Sequence, residues 1–173
     1  MRFFSGFSLK NEECFFEEFI NFSKYSVSGF SYGSIKAFRY VKERLEYKKR
    51  VDMLQLFSPV FFQSRSESFK KLQLRSFEKN RQNYLNRFMT SCFFPYKQMD
   101  IEMTQSTLDE LEELLYYGWS VPELQSLSER GVKIEVYLGE EDKIIDVDGA
   151  REFFKDVATV TYIKDANHFL KIK

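Results

Sequence analysis

Tyr25-Ser26-Val27-Ser28-Gly29-Phe30-Ser31-Tyr32-Gly33 carries two readings in nine residues. Residues 25–30 form a short apolar run closed by turn residues, the pattern of a strand. From Gly33 onward the period changes. Ile35, Phe38, Val41 and Leu45 recur on one helical face, which predicts a helix over 33–47. At the junction, Gly29-Phe30-Ser31-Tyr32-Gly33 matches G-x-S-x-G. Small residues on either side let the chain turn sharply, so the Ser31 hydroxyl stands exposed above a sheet. The helix N-terminus behind it favours negative charge. Without chemistry, the same residues are a glycine-rich strand-to-helix turn.

The rest of the chain repeats this alternation. Apolar runs over 2–5, 52–57, 132–138 and 159–163 read as further strands. Helical patterns occupy 11–22, with Asn11 as N-cap, then 65–89, 108–117, 121–130 and 148–155. Gly131 reads as a helix terminator. Strands alternating with helices argue for a parallel α/β sheet. Residues 65–130 read as wholly helical between the third and fourth strands, the pattern of a cap inserted into an α/β core. The expectation is a single domain over 1–173 with a helical cap insert spanning roughly 63–130.

A chain of 173 residues buries a sizeable core without disulfides or a structural metal. Cys14 and Cys92 form neither a disulfide framework nor a ligand pair, and they read with Trp119 as packing residues. No apolar run is long enough to span a bilayer, and the first residues lack the apolar stretch of a signal peptide. A cytoplasmic protein with no metal and no organic cofactor is expected. The 26 basic and 26 acidic residues cancel, which disfavours a general nucleic-acid binder. Residues 63–97 nevertheless carry a balance of +6 and residues 98–130 one of −7. The 20 Phe and 10 Tyr point to a core or pocket built from rings.

Chemistry at Ser31 needs a base, and His168 is the one histidine in the chain. It follows the last predicted strand, where catalytic groups sit in open α/β sheets. An acid must orient the imidazole. Glu140, Glu141 and Asp142 follow the fourth strand, with Asp146 and Asp148 close behind, and spacing alone does not choose among them. Asp146 and Asp148 also suit capping of the next helix. Two backbone N–H groups should stabilise a developing oxyanion. The expected donors are Tyr32 and Phe7, the latter beside Gly6 in the loop after the first strand. In the basic segment, Lys71, Arg75 and Lys79 recur at helical spacing. With Arg65, Lys70, Arg81 and Arg87 they read either as a solvated face or as a docking surface for phosphate or an acidic protein.

The elbow at Ser31, the segment Leu138-Gly139-Glu140-Glu141-Asp142 and the terminal Asn167-His168-Phe169-Leu170 resemble the α/β-hydrolase superfamily. Met1-Arg2-Phe3-Phe4-Ser5-Gly6-Phe7, Leu56-Phe57-Ser58-Pro59, Phe69-Lys70-Lys71-Leu72-Gln73-Leu74 and Gly131-Val132-Lys133-Ile134-Glu135-Val136 narrow the resemblance. Together they look like the short BioV-type pimeloyl-acyl carrier protein methyl ester esterases of Helicobacter and its relatives. The resemblance implies a reduced α/β-hydrolase fold with a small, mostly parallel sheet and an inserted helical cap. It implies hydrolysis of the methyl ester of pimeloyl-acyl carrier protein in biotin synthesis. It assigns Ser31 as nucleophile, Asp142 as triad acid and His168 as base. The seven basic residues of the cap would then meet the acidic carrier, and a Phe-rich slot would hold its acyl chain. The chain departs from larger hydrolases in lacking their earliest strands and in carrying Ser5 before Gly6, where many relatives have His. Rival readings are another carrier-linked acyl hydrolase or thioesterase with the same triad, and a carrier-binding protein without catalysis.

Overall fold

The computed structural model describes residues 1–173. In chain order the elements are β1 (Arg2–Phe4), β2 (Leu9–Lys10), a 3-10 helix (Glu12–Phe16), β3 (Ser26–Phe30), α1 (Gly33–Glu46) and β4 (Met53–Phe57). Then come α2 (Glu67–Lys79), α3 (Arg81–Phe93), β5 (Glu102–Met103), α4 (Leu108–Tyr116), α5 (Val121–Glu129), β6 (Lys133–Gly139), α6 (Val147–Phe154) and β7 (Thr159–Ile163). Five strands form one parallel sheet in the order β1-β3-β4-β6-β7. Every residue of β3 is buried, as expected of a parallel strand covered on both faces. The sequence-predicted strands recur within a residue or so at each end.

Three expectations need correction. Residues 11–22 do not form an α-helix. Only Glu12–Phe16 coils, as a 3-10 turn, and Asn11 sits in the left-handed region at φ 61° without capping it. Asn11 Nδ2 instead donates to Glu102 of β5. The segment is anchored to β4 by Gln55, which donates to the Phe19 carbonyl and accepts from the Asn21 N–H. Residues 65–89 are two helices, not one. Ser66 caps α2, and Asn80 caps α3 by accepting the Asn83 N–H at 2.9 Å, which turns the chain between them. The insert is not wholly helical either, because β5 pairs antiparallel with β2.

The aromatic load divides in two. Phe15 and Phe16 of the N-terminal segment pack with Phe30, Phe57, Phe93 and Phe169, with Phe16 stacked on Phe57 at a centroid distance of 4.9 Å. A larger cluster joins α1, the sheet, the insert and α6 around residues such as Trp119, whose indole N–H donates to the Val60 carbonyl at 2.7 Å. Cys92 lies in the first cluster, and burial pushes its thiol well above the ordinary range. Cys14 is exposed and is not a packing residue.

The acidic segment has an intramolecular explanation. Lys36, Arg39 and Lys42 of α1 pair with Glu110, Glu113 and Glu123 of α4 and α5. Each exposed or half-exposed pair is worth only ~0.2–1 kcal/mol. Their value lies in register, since they fix where α4 and α5 dock on the helix behind Ser31. Three of the eight acids of this segment are thereby turned toward the protein's own α1.

Candidate active site

Ser31 occupies a sharp turn between β3 and α1 at φ 50°, a conformation that a non-glycine residue adopts only when its surroundings impose it. Its N–H donates to the Phe57 carbonyl at 2.9 Å and the Ser34 hydroxyl ties back to Gly29. Gly33 is required by close approach. A Cβ there would stand 2.0 Å from the Phe4 carbonyl oxygen, so a side chain would push α1 away from β1 and its following loop.

The acid and the histidine arrive on neighbouring loops. β6 and β7 run parallel, so their C-terminal ends emerge together. Gly139 lets the loops meet, because a Cβ there would lie 2.4 Å from the Asn167 carbonyl oxygen. Glu141 N–H donates to the Ala166 carbonyl, and Asp165 N–H to the Glu140 carboxylate. Wholly buried Asn167 then shapes the histidine loop. Its Oδ1 accepts the Phe169 and Lys171 N–H groups, and its Nδ2 donates to the Phe93 carbonyl at 3.0 Å. Nothing in the local sequence marks Asn167 for this role beyond its place beside His168.

The three side chains form one line. His168 Nε2 lies 3.0 Å from Ser31 Oγ, and His168 Nδ1 lies 2.6 Å from Asp142 Oδ2. All three residues are buried. Asp142 Oδ1 accepts the Ile144 and Ile145 N–H groups, which leaves Oδ2 aimed at the ring. With Nδ1–H donating to that carboxylate, Nε2 is free to accept the Ser31 proton. The other four candidate acids are placed elsewhere. Glu140 holds Asp165, Glu141 pairs with Lys143, Asp146 caps α6, and Asp148 lies in the first turn of α6.

Phe7 and Tyr32 both retain a free amide. Neither N–H has an acceptor within the protein. The Tyr32 side chain turns away and donates to Glu113, and burial together with that carboxylate raises its phenol above the ordinary range. Phe7 and Ser31 line a common cavity of about 500 Å³, walled mostly by apolar side chains such as Val60, Phe62, Phe88, Leu111 and Leu115. It is less uniformly apolar than a Phe-rich slot would be, because Arg87 and Lys143 also line it.

The seven basic residues singled out in the insert are not one surface. Arg87 lines the cavity. Lys71 pairs with Glu67 at 3.4 Å. Arg65, Lys70 and Arg81 lie over the rings of Phe69, Tyr116 and Phe77. Arg75 and Lys79 are exposed and take part in no ion pair. The exposed side chain of Leu72 sits on the same helix and lines the cavity.

The architecture is that of known hydrolases. BioG from Haemophilus influenzae superposes with a TM-score of 0.62 at 11% identity, covering 97% of this chain and 87% of its own. The esterase EaEST from Exiguobacterium antarcticum gives 0.61 at 15% identity, over 83% of this chain and 59% of its own. Naproxen esterase (carboxylesterase NP) from Bacillus subtilis gives 0.52 at 18% identity, over 85% and 54%. This chain thus spans little more than half the length of the two esterases. No protein-family model and no curated protein matches the sequence. The chain has a reduced α/β-hydrolase fold with a small parallel sheet and helices inserted between β4 and β6. No helix is long and apolar enough to cross a membrane.

Proposed function

We propose that this chain is a cytoplasmic serine esterase that hydrolyses the methyl ester of pimeloyl-acyl carrier protein, giving pimeloyl-acyl carrier protein and methanol in biotin synthesis. The observation that carries the reading is the line Asp142–His168–Ser31 opening on a mostly apolar cavity. His168 takes the Ser31 proton as Oγ attacks the ester carbonyl. The Phe7 and Tyr32 N–H groups stabilise the oxyanion. Collapse breaks the bond to the methoxy oxygen, which leaves as methanol with the proton from His168. Water then enters, gives a proton to His168 and attacks the acyl-enzyme. That proton returns to Ser31 as the free carboxylic acid forms.

The carrier assignment has separate support. The fold neighbour BioG is of similar length, since 97% of this chain superposes on 87% of it, so the carrier reading does not call for a larger protein. Arg75, Lys79 and Leu72 place free positive charge and an apolar side chain on the helix beside the cavity. An acidic carrier would be steered to such a surface. The test is mass spectrometry of methyl pimeloyl-acyl carrier protein after incubation with the protein or its Ser31→Ala variant. Loss of one CH2 with the carrier still attached, seen only with the intact serine, is the expected result. Release of free carrier would mean a thioesterase. No change with either protein would favour a binding protein.

A second prediction isolates the surface. The double variant Arg75→Glu/Lys79→Glu is expected to raise KM for the carrier-linked ester about tenfold or more, the scale of losing two steering charges. Turnover of a small free ester should stay within about twofold, because neither residue touches Ser31. Equal loss on both substrates would remove these residues from the docking surface.

A further inference from the structure

The oxyanion donor Phe7 lies in a turn whose other backbone N–H groups are already engaged. Gly6 N–H donates to Glu12 Oε1 at 2.6 Å. Ser8 N–H donates to Ser106 Oγ at 2.9 Å, and the Ser8 carbonyl accepts the Thr104 N–H. Leu9 N–H donates to the Gly6 carbonyl at 3.2 Å. That last bond matters most for direction. The Gly6 carbonyl and the Phe7 N–H belong to one planar peptide, so fixing the oxygen points the N–H the opposite way. Phe7 N–H is left as the free backbone donor of the turn.

Glu12 is the unusual member of this arrangement. It is wholly buried, its second carboxyl oxygen has no hydrogen-bond partner, and burial raises its pKa above the ordinary carboxylate range. A buried carboxyl with an unpaired oxygen is costly, and an apolar residue would pack there without that cost. In either protonation state it keeps an oxygen for the Gly6 N–H. We propose that Glu12 is a positioning residue, which with Ser106 of the insert clasps the turn Gly6–Leu9 so that the Phe7 N–H faces the charge developing at Ser31. This inference rests on the esterase reading and extends it. The insert would then complete the oxyanion site, besides covering the cavity.

The test uses p-nitrophenyl butyrate as substrate and an alkyl boronic acid, which forms a tetrahedral adduct on an active serine, as the binding probe. Glu12→Ala is expected to lower kcat about 10- to 100-fold with KM within about twofold, as expected when one oxyanion donor is misplaced. Boronate affinity should fall by a similar factor. Glu12→Gln should recover most of both, since its amide oxygen can accept the Gly6 N–H. Ser106→Ala, which frees the Ser8 N–H, should lower kcat in the same direction and serves if Glu12→Ala does not fold. Val132→Ala, buried beside the N-terminal end of β6, is the stability control and should leave kcat unchanged. Wild-type kcat in Glu12→Ala, an effect on KM alone, or no recovery in Glu12→Gln would overturn the proposal. An unreactive Ser31 in the parent protein would instead overturn the esterase reading, and this proposal with it.

Discussion

Replacing His168 by alanine is expected to lower kcat for ester hydrolysis about 10⁴- to 10⁶-fold, the range for removing the base of a serine triad. KM should change little, because the imidazole touches Ser31 and Asp142 and does not line the cavity. The chain holds no second histidine to substitute. Without the ring, the Ser31 hydroxyl has no acceptor for its proton and is a poor nucleophile. The fold should survive. Asp142 Oδ1 keeps its two N–H donors, and the loop keeps the hydrogen bonds of Asn167. Initial rates on a small ester, with circular dichroism to verify folding, make the measurement. Residual activity within tenfold of the parent would show that another group is the base.

The second large effect separates the candidate acids. Asp142→Asn should lower kcat about 10⁴-fold at neutral pH, the scale set by forcing the wrong imidazole tautomer. The asparagine oxygen can still accept the Ile144 and Ile145 N–H groups, so the loop stays in place. Its NH2 then faces His168 Nδ1 and donates to it. The ring proton moves to Nε2, which can no longer accept from Ser31. Asp146→Ala gives the contrast. It removes the cap of α6 and should cost roughly 1 kcal/mol of stability, measured as a shift of the urea midpoint. Its kcat should stay within about threefold of the parent, since Asp146 bonds to Ser64 and Gly149 and not to His168. A larger loss in Asp146→Ala than in Asp142→Asn would reverse the assignment.

The structure departs from local sequence pattern for two different physical reasons. The periodicity of 65–89 is helical throughout, and only the Asn80 side chain, capping α3, marks the break. A cap residue inside an amphipathic pattern is a local signal of such a break. The segment 11–22 is different. Its acids and apolar residues suit a helix, yet the chain turns at residues 17–19 and Gln55, from a strand far along the chain, binds the Phe19 carbonyl and the Asn21 N–H. Tertiary hydrogen bonds overrode propensity there. The strand pair β2–β5 joins residues separated by more than ninety positions, and each strand has two residues, too few to show a period.

What the sequence by itself determined is what adjacent residues encode. A strand, a tight turn at Ser31 and an amphipathic helix follow from local size and period, and the order serine, acid, histidine follows from strand order. Spacing left five carboxylates within nine residues open and only the resemblance favoured Asp142, whereas the tertiary structure brings the Asp142 carboxylate to the ring. It also decided that the acids of α4 and α5 pair with α1, and that buried Glu12 grips Gly6. The physical reason is range. Helical period and turn chemistry act over a few residues, whereas a hydrogen bond forms only when packing brings two distant groups within about 3 Å.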